Sequence, residues 1–215
     1  MIMVKKSFMA ALLGLAVVFS SAGCVTVVPI GHEDEVTGNV AFNAADNVAG
    51  IWESKAIPDL EKNAVELNQL LKETNGKLKS AADKYGHYTM GKSGELSYIV
   101  KGAGTVTEIN QEKRAGFMTV KLDGYDGPVV VKLQIGPVYK GSAIRDCLSF
   151  IKYEDYTNQV EWAKVSQAIH ETVDNAVIKP LNVESLKGKH ISFLGCFSVS
   201  GEKEILITPV KAEAK

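Results

Sequence analysis

Phe117-Met118-Thr119-Val120-Lys121-Leu122 is followed by Asp123-Gly124-Tyr125-Asp126-Gly127 and then by Pro128-Val129-Val130-Val131-Lys132-Leu133-Gln134-Ile135. The first segment alternates, with Met118, Val120 and Leu122 on one face. The third does the same through Val129, Val131, Leu133 and Ile135. A period of two is the signature of a strand with one buried face, and the Asp/Gly-rich segment between is turn chemistry. Upstream, residues 98–109 read as another strand, with Gly102 and Gly104 as expected bulge points. Downstream, Trp162, Val165, Ile169, Val173 and Val177 recur at helical spacing, which predicts a helix over 160–178. Thr157 or Asn158 can cap its start, and Pro180 lies past its end. Residues 188–199 alternate again, with Ile191, Phe193, Phe197 and Val199 together. Residues 204–210 form the last strand. Strand, strand, strand, helix, strand, strand is the connectivity of an OB-fold, a five-stranded barrel with its helix between strands three and four. The expected fold class is therefore α+β, mainly β, with an OB-like barrel over 96–210. An open antiparallel sheet carrying the helix on one face fits the same order.

Before the barrel, Ile51, Trp52, Ile57, Leu60, Ala64, Leu67 and Leu71 trace an apolar helical stripe, so residues 46–90 are expected to form a helical segment. Pro58 inside it must kink one helix or open a second. Asn75-Gly76 is a stop signal, and Leu78, Ala82 and Tyr85 suggest a short further helix. Trp52 could stack on a sugar, but a Trp in such a stripe is more often core. Residues 211–215 read as a polar tail.

The N-terminus has a different character. Lys5 and Lys6 precede residues 8–19, which carry no charge, and then comes Ser20-Ser21-Ala22-Gly23-Cys24. This is a secretory signal over residues 1–23, too short for an ordinary membrane span. The small residues before Cys24 resemble a bacterial lipobox, with Ser21 in place of the usual Leu. Cys24 is then the expected acylated first residue of the mature chain, and acyl chains on it would hold the protein to a bilayer. Residues 24–45 read as a tether. Val25, rather than Asp, after the cysteine leans towards the outer membrane.

Composition removes several function classes. The chain has 24 Lys+Arg against 25 Asp+Glu, a formal charge of −1, and 46% hydrophobic residues. That excludes a disordered or disulfide-dense chain and argues against nucleic acid as a partner. The four histidines, His32, His87, His170 and His190, show no metal-ligand spacing, so no metal or other cofactor is expected. Gly102-Ala103-Gly104 lacks the helix and Lys of a phosphate loop, no Gly-x-Ser-x-Gly elbow is present, and nothing argues for an enzyme. With Cys24 committed to lipid, Cys147 and Cys196 are either two separate buried thiols or an envelope disulfide.

The densest polar grouping joins strand three to the helix. Tyr139, Lys140, Arg145, Asp146, Asn158 and Gln159 stand there among aromatics and are the candidate ligand-binding residues. Such a mix can hold a polyol or a carboxylate through bidentate hydrogen bonds and stacking. It can equally be a buried network that fixes the connection. Neighbouring side chains on a helix diverge, so Arg145 and Asp146 are expected to reach different partners. Tyr139 and Lys140, after the Gly136-Pro137 break, are expected to face solvent.

The same residues carry a resemblance. Leu133-Gln134-Ile135-Gly136-Pro137, Gly141-Ser142-Ala143-Ile144-Arg145-Asp146, Tyr156-Thr157-Asn158-Gln159 and Trp162-Ala163 resemble a bacterial family of predicted periplasmic lipoproteins of unknown function, domain-of-unknown-function family 2291. Ile51-Trp52-Glu53-Ser54-Lys55 with Pro58, Lys179-Pro180-Leu181, and Leu186-Lys187-Gly188-Lys189 with Phe193 and Phe197 resemble its two ends. Genes of that family often lie beside sugar ABC-transporter genes. The resemblance therefore implies an accessory binding lipoprotein near carbohydrate uptake, with a sugar ligand or a transporter component as partner. An envelope assembly or protein-interaction lipoprotein is the alternative. The family supplies no catalytic residues. Its pattern has small apolar residues where Cys147 and Cys196 stand, which weighs against a disulfide common to the family.

Overall fold

A computed structural model describes residues 43–92 and 94–214. The expected signal, Cys24 and nearly all of the expected tether lie outside the described residues. Asn43 opens the first helix, α1 (Ala44–Ile51), by accepting hydrogen bonds from the Ala45 and Asp46 amides. A π-helical turn (Trp52–Ala56) leads into α2 (Ile57–Asn63), with Pro58 in its first turn. The Ile57 N–H bonds to the Trp52 carbonyl five residues back, so the helical ladder shifts register just where Pro58 has no N–H to give. Pro58 thus opens a second helix, as one of the two sequence alternatives held. Trp52 is 4% exposed and belongs to the core.

The expected helical segment ends earlier than residue 90 and is interrupted. A two-residue strand β1 (Val65–Glu66) separates α2 from α3 (Leu67–Thr74). Asn75 takes the left-handed conformation (φ 47°) that ends α3. A 3-10 turn (Leu78–Ala81) and α4 (Ala82–Tyr85) follow, and then β2 (His87–Lys92). The chain leaves α4 at Gly86, where a Cβ would lie 2.6 Å from the Ala82 carbonyl oxygen. Extended backbone there hands His87 and Tyr88 to the edge of the barrel, opposite Ser97 and Leu96.

The barrel strands are β3 (Leu96–Asn110), β4 (Ala115–Leu122), β5 (Val130–Pro137), β6 (His190–Ser198) and β7 (Glu204–Ala214). Pairing runs β3-β4-β5-β7-β6 and closes through β6–β3, with β5–β7 parallel and the other barrel pairs antiparallel. This is the five-stranded OB arrangement, and the β3–β6 closure rules out the open-sheet alternative. Gly102 and Gly104 are not bulges. They pair regularly with Phe193 and Ile191, and the register shift in β3 falls between Val106 and Glu108. The glycines allow close approach where β3 turns from β6 to β4. A Cβ on Gly102 would stand 3.0 Å from both Leu122 Cδ1 and Phe193 Cζ, and one on Gly104 would overlap the Lys121 carbonyl. The expected polar tail is also corrected. Residues 211–214 continue β7, with Ala214 opposite Ile191.

Between β5 and β6 lie the single-turn helix α5 (Ala143–Cys147), a 3-10 turn (Tyr153–Asp155), and α6 (Gln159–Val173) with a π-helical extension (Asp174–Ile178). α5 packs on β3 and β6, α1 packs along α6, and the π extension meets β5 and β7. The core is continuous. Met118, Val120, Leu133, Ile191 and Ile207 fill the barrel, and Leu60, Leu67, Leu70, Leu71 and Leu78 of the N-terminal helices join the same cluster. Tyr98 connects the two: its hydroxyl donates to the Leu78 carbonyl at 2.6 Å, and its ring stacks on Phe197.

Candidate functional site

The polar connection is built around Arg145. α5 exposes little of itself: Ala143, Ile144, Arg145 and Cys147 are all buried. The Arg145 guanidinium lies 4.0 Å from the centre of the Trp162 ring, and Nη1 donates to the Trp162 carbonyl at 3.1 Å. Tyr153 and Tyr156 flank the other edges of Trp162. Arg145 also pairs with its own neighbour: Nε lies 2.8 Å and Nη2 2.7 Å from Asp146 Oδ1. This corrects the expectation that the two side chains would part. Divergence holds for residues radiating from a regular helix, whereas α5 is one turn that Leu148 ends in extended backbone. The pair is largely desolvated, with side-chain exposures of 10% and 5%. Burial pushes the Asp146 carboxyl above its ordinary range, and Arg145 only partly offsets this.

The other candidates divide by role. Asn158 is the cap of α6, its Oδ1 accepting from the Val160 and Glu161 amides at 2.9 and 3.0 Å. Glu161 answers by accepting from the Thr157 amide, which completes a reciprocal cap. Gln159, the first residue of α6, is exposed. Tyr139 does not face solvent freely. It is half-buried, stacked on His170, and its hydroxyl donates to Asp174 Oδ1 at 3.3 Å. Burial and Asp174 both push its phenol up. Burial, then the Arg145 charge, holds His170 down at about 4. Lys140 presents an exposed side chain as expected, but its backbone is fixed by Gln134. Gln134 accepts from the Lys140 amide, donates to the Lys140 carbonyl, and donates to Thr208 on the neighbouring strand β7. The six candidates therefore do not converge on one pocket.

Asp146 alone of the six lines a cavity of about 290 Å³, together with His87, Thr89, Ser149, Lys152 and Glu154 among others. Both Arg145 contacts fall on Asp146 Oδ1. Thr89 Oγ1 is shielded from solvent and makes no well-formed hydrogen bond, although it lies close enough to Asp146 to favour the charged carboxylate. Burial lowers the His87 pKa, so its ring is neutral near pH 7, able to donate from one nitrogen and accept at the other. The wall thus carries a fixed carboxylate with the Thr89 hydroxyl set against it, and a neutral imidazole. The sequence reading missed His87 and Thr89 because β2 shows no period and was absorbed into the helical segment.

The neighbouring Ser149 is not set up as a nucleophile. Its hydroxyl donates to the Asp59 carboxylate at 3.2 and 3.3 Å, so its proton points to an acid and not to the His87 ring. Among the described residues no group of His, Cys, Asp and Glu is placed to hold a metal ion, and no helix is long and apolar enough to cross a membrane.

Comparison with known proteins supports the same outline. The chain matches a crystal structure of an OB-fold protein from Thermotoga maritima with a TM-score of 0.63 at 17% identity, covering 82% of this chain and all of that one. At this identity the likeness speaks for the fold alone. No curated protein matches the chain. The family model of predicted periplasmic lipoproteins, DUF2291, matches residues 13–213, ending in the last barrel strand. The chain belongs to this predicted periplasmic lipoprotein family.

Proposed function

We propose that this protein is a non-catalytic accessory lipoprotein, anchored through acylated Cys24, that binds a small polyol such as a sugar in the cavity beside Asp146. The observation that carries the reading is the placing of a buried, Arg-oriented Asp146 carboxylate, the Thr89 hydroxyl and the His87 ring in one cavity wall. A carboxylate oxygen accepts from ligand hydroxyls, Thr89 supplies a donor and an acceptor, and His87 offers a further partner. In this reading Arg145 does not touch ligand. It holds Asp146 charged and in place. Val25 after the cysteine favours the outer membrane, and the gene neighbourhood implied by the family resemblance, beside sugar transporters, favours a carbohydrate. A protein-docking role has less support among the described residues, where the exposed large apolar side chains are single valines: Val130, Val138 and Val160.

A melting screen of residues 25–215 against mono- and disaccharides tests this. A ligand at a hundredfold excess over its Kd should stabilise the protein by about 2.7 kcal/mol. At least one sugar should raise the melting temperature, and Thr89→Val should abolish the response while the empty protein melts almost as before. If no sugar shifts the wild type, or if the shift survives both Thr89→Val and Asp146→Asn, the assignment fails.

A further inference from the structure

We propose that Cys147 and Cys196 are joined by an intramolecular disulfide in the exported protein. The chain has three cysteines, and Cys24 sits at the lipidation signal, so these two are the remainder. They come from distant parts of the chain, α5 and β6, and the fold brings them together. α5 packs directly on β6. Phe193 and Phe197 of β6 turn into the barrel, which turns Cys196 outward by alternation, towards α5. Cys147, the last residue of α5, faces it. Both thiols are free in the structure, both side chains are buried, Cys147 at 1% and Cys196 at 0% exposure, and the two lie close enough to influence one another. Either cysteine alone would pass for a small core hydrophobe. Two in contact, in a compartment that oxidises thiols, are positioned to be linked.

The chemistry is thiol–disulfide exchange with an envelope dithiol–disulfide carrier. One cysteine thiolate attacks the carrier's disulfide, giving a mixed disulfide and a carrier thiolate. The second cysteine thiolate then attacks the protein sulfur of that bond and releases the carrier as a dithiol. Two S–H protons and two electrons leave the protein, one S–S bond forms, and the carrier disulfide is reduced. Burial and Cys196 hold the Cys147 thiol well above its usual range in the folded protein. The exchange therefore belongs to folding, before α5 docks. Once formed, the bond ties α5, and with it Asp146, to the barrel wall. The inference does not depend on the ligand reading.

The test uses the full chain after export. The protein is denatured in iodoacetamide without reductant, digested and examined by mass spectrometry. The expected result is a peptide pair cross-linked through Cys147 and Cys196, both alkylated only after reduction. Reductant should also lower the melting temperature of the wild type and leave that of the Cys147→Ala/Cys196→Ala double variant unchanged. Alkylation of both cysteines without reductant, or a bond from either to another chain, would overturn the proposal.

Discussion

Arg145→Ala will destabilise the domain by about 3–5 kcal/mol, the range for removing one member of a buried ion pair. The variant strands the Asp146 carboxylate, only 5% exposed, removes the side-chain donor from the Trp162 carbonyl, and empties the face of the Trp162 ring. Urea denaturation measures the loss, and its pH dependence identifies the cause. In the wild type the folded Asp146 pKa is raised above its ordinary value because burial outweighs Arg145. A raised carboxyl pKa means that the folded state holds the proton more tightly. The associated penalty is absent below the unfolded pKa and grows as pH rises through the folded value. Without Arg145 the folded pKa climbs further. The deficit of the variant should therefore be largest at neutral pH and shrink as the solution is acidified towards pH 4. Asp146→Asn in the same chain should recover part of the loss at neutral pH. A deficit that stays constant with pH, unrelieved by Asp146→Asn, would show that Arg145 acts through packing on Trp162 and not through the carboxylate.

Tyr98→Ala is expected to cost a similar amount, about 3–5 kcal/mol, for a different reason. Tyr98 is fully buried, stacks on Phe197 with ring centres 5.6 Å apart, and donates to the Leu78 carbonyl. Burial pushes its phenol up to about 12, so the hydroxyl remains a donor throughout the working range. The side chain fills the barrel beside Phe197 and binds the 3-10 turn at Leu78 to β3. Tyr98→Phe keeps the ring and removes only the donor, which leaves a buried carbonyl short of a partner at about 1–3 kcal/mol. Equilibrium denaturation of the two variants separates packing from the hydrogen bond. Equal losses would mean that the attachment of the N-terminal helices, and not the cavity, dominates.

The parts of the fold that were legible are those where one face meets solvent. β4 alternates throughout and β5 as far as Leu133, because their outer faces carry Thr119, Lys121, Val130 and Lys132 while Met118, Val120, Val131 and Leu133 are buried. α6 was legible from its stripe and from Asn158 one residue before it. β3 was harder to bound. Residues 96–100 are buried on both faces, so alternation there carries little information, and the two glycines were open to misreading as bulges. β7 was cut short because residues 211–214 are polar, although an exposed strand end continues to pair. β2 was missed because six residues at a sheet edge, next to helical sequence, leave no period. That omission hid the cavity. Asp146 was readable as a candidate, but His87 and Thr89 reach it only through the β2–β3 pairing, which no local pattern announces. The Arg145–Asp146 contact was misjudged because it depends on α5 being a single turn.

The central claim is that Asp146 and Thr89 form the wall of a ligand site held by Arg145. Amide NMR of ¹⁵N-labelled residues 25–215, titrated with the sugar that gives the largest melting shift, locates binding directly. The account predicts saturable shifts concentrated at residues 87–89 and 146–152, which are lost in Thr89→Val. Saturable shifts confined to the outer face of β4 and β5, with residues 87–89 and 146–152 unmoved, would contradict it.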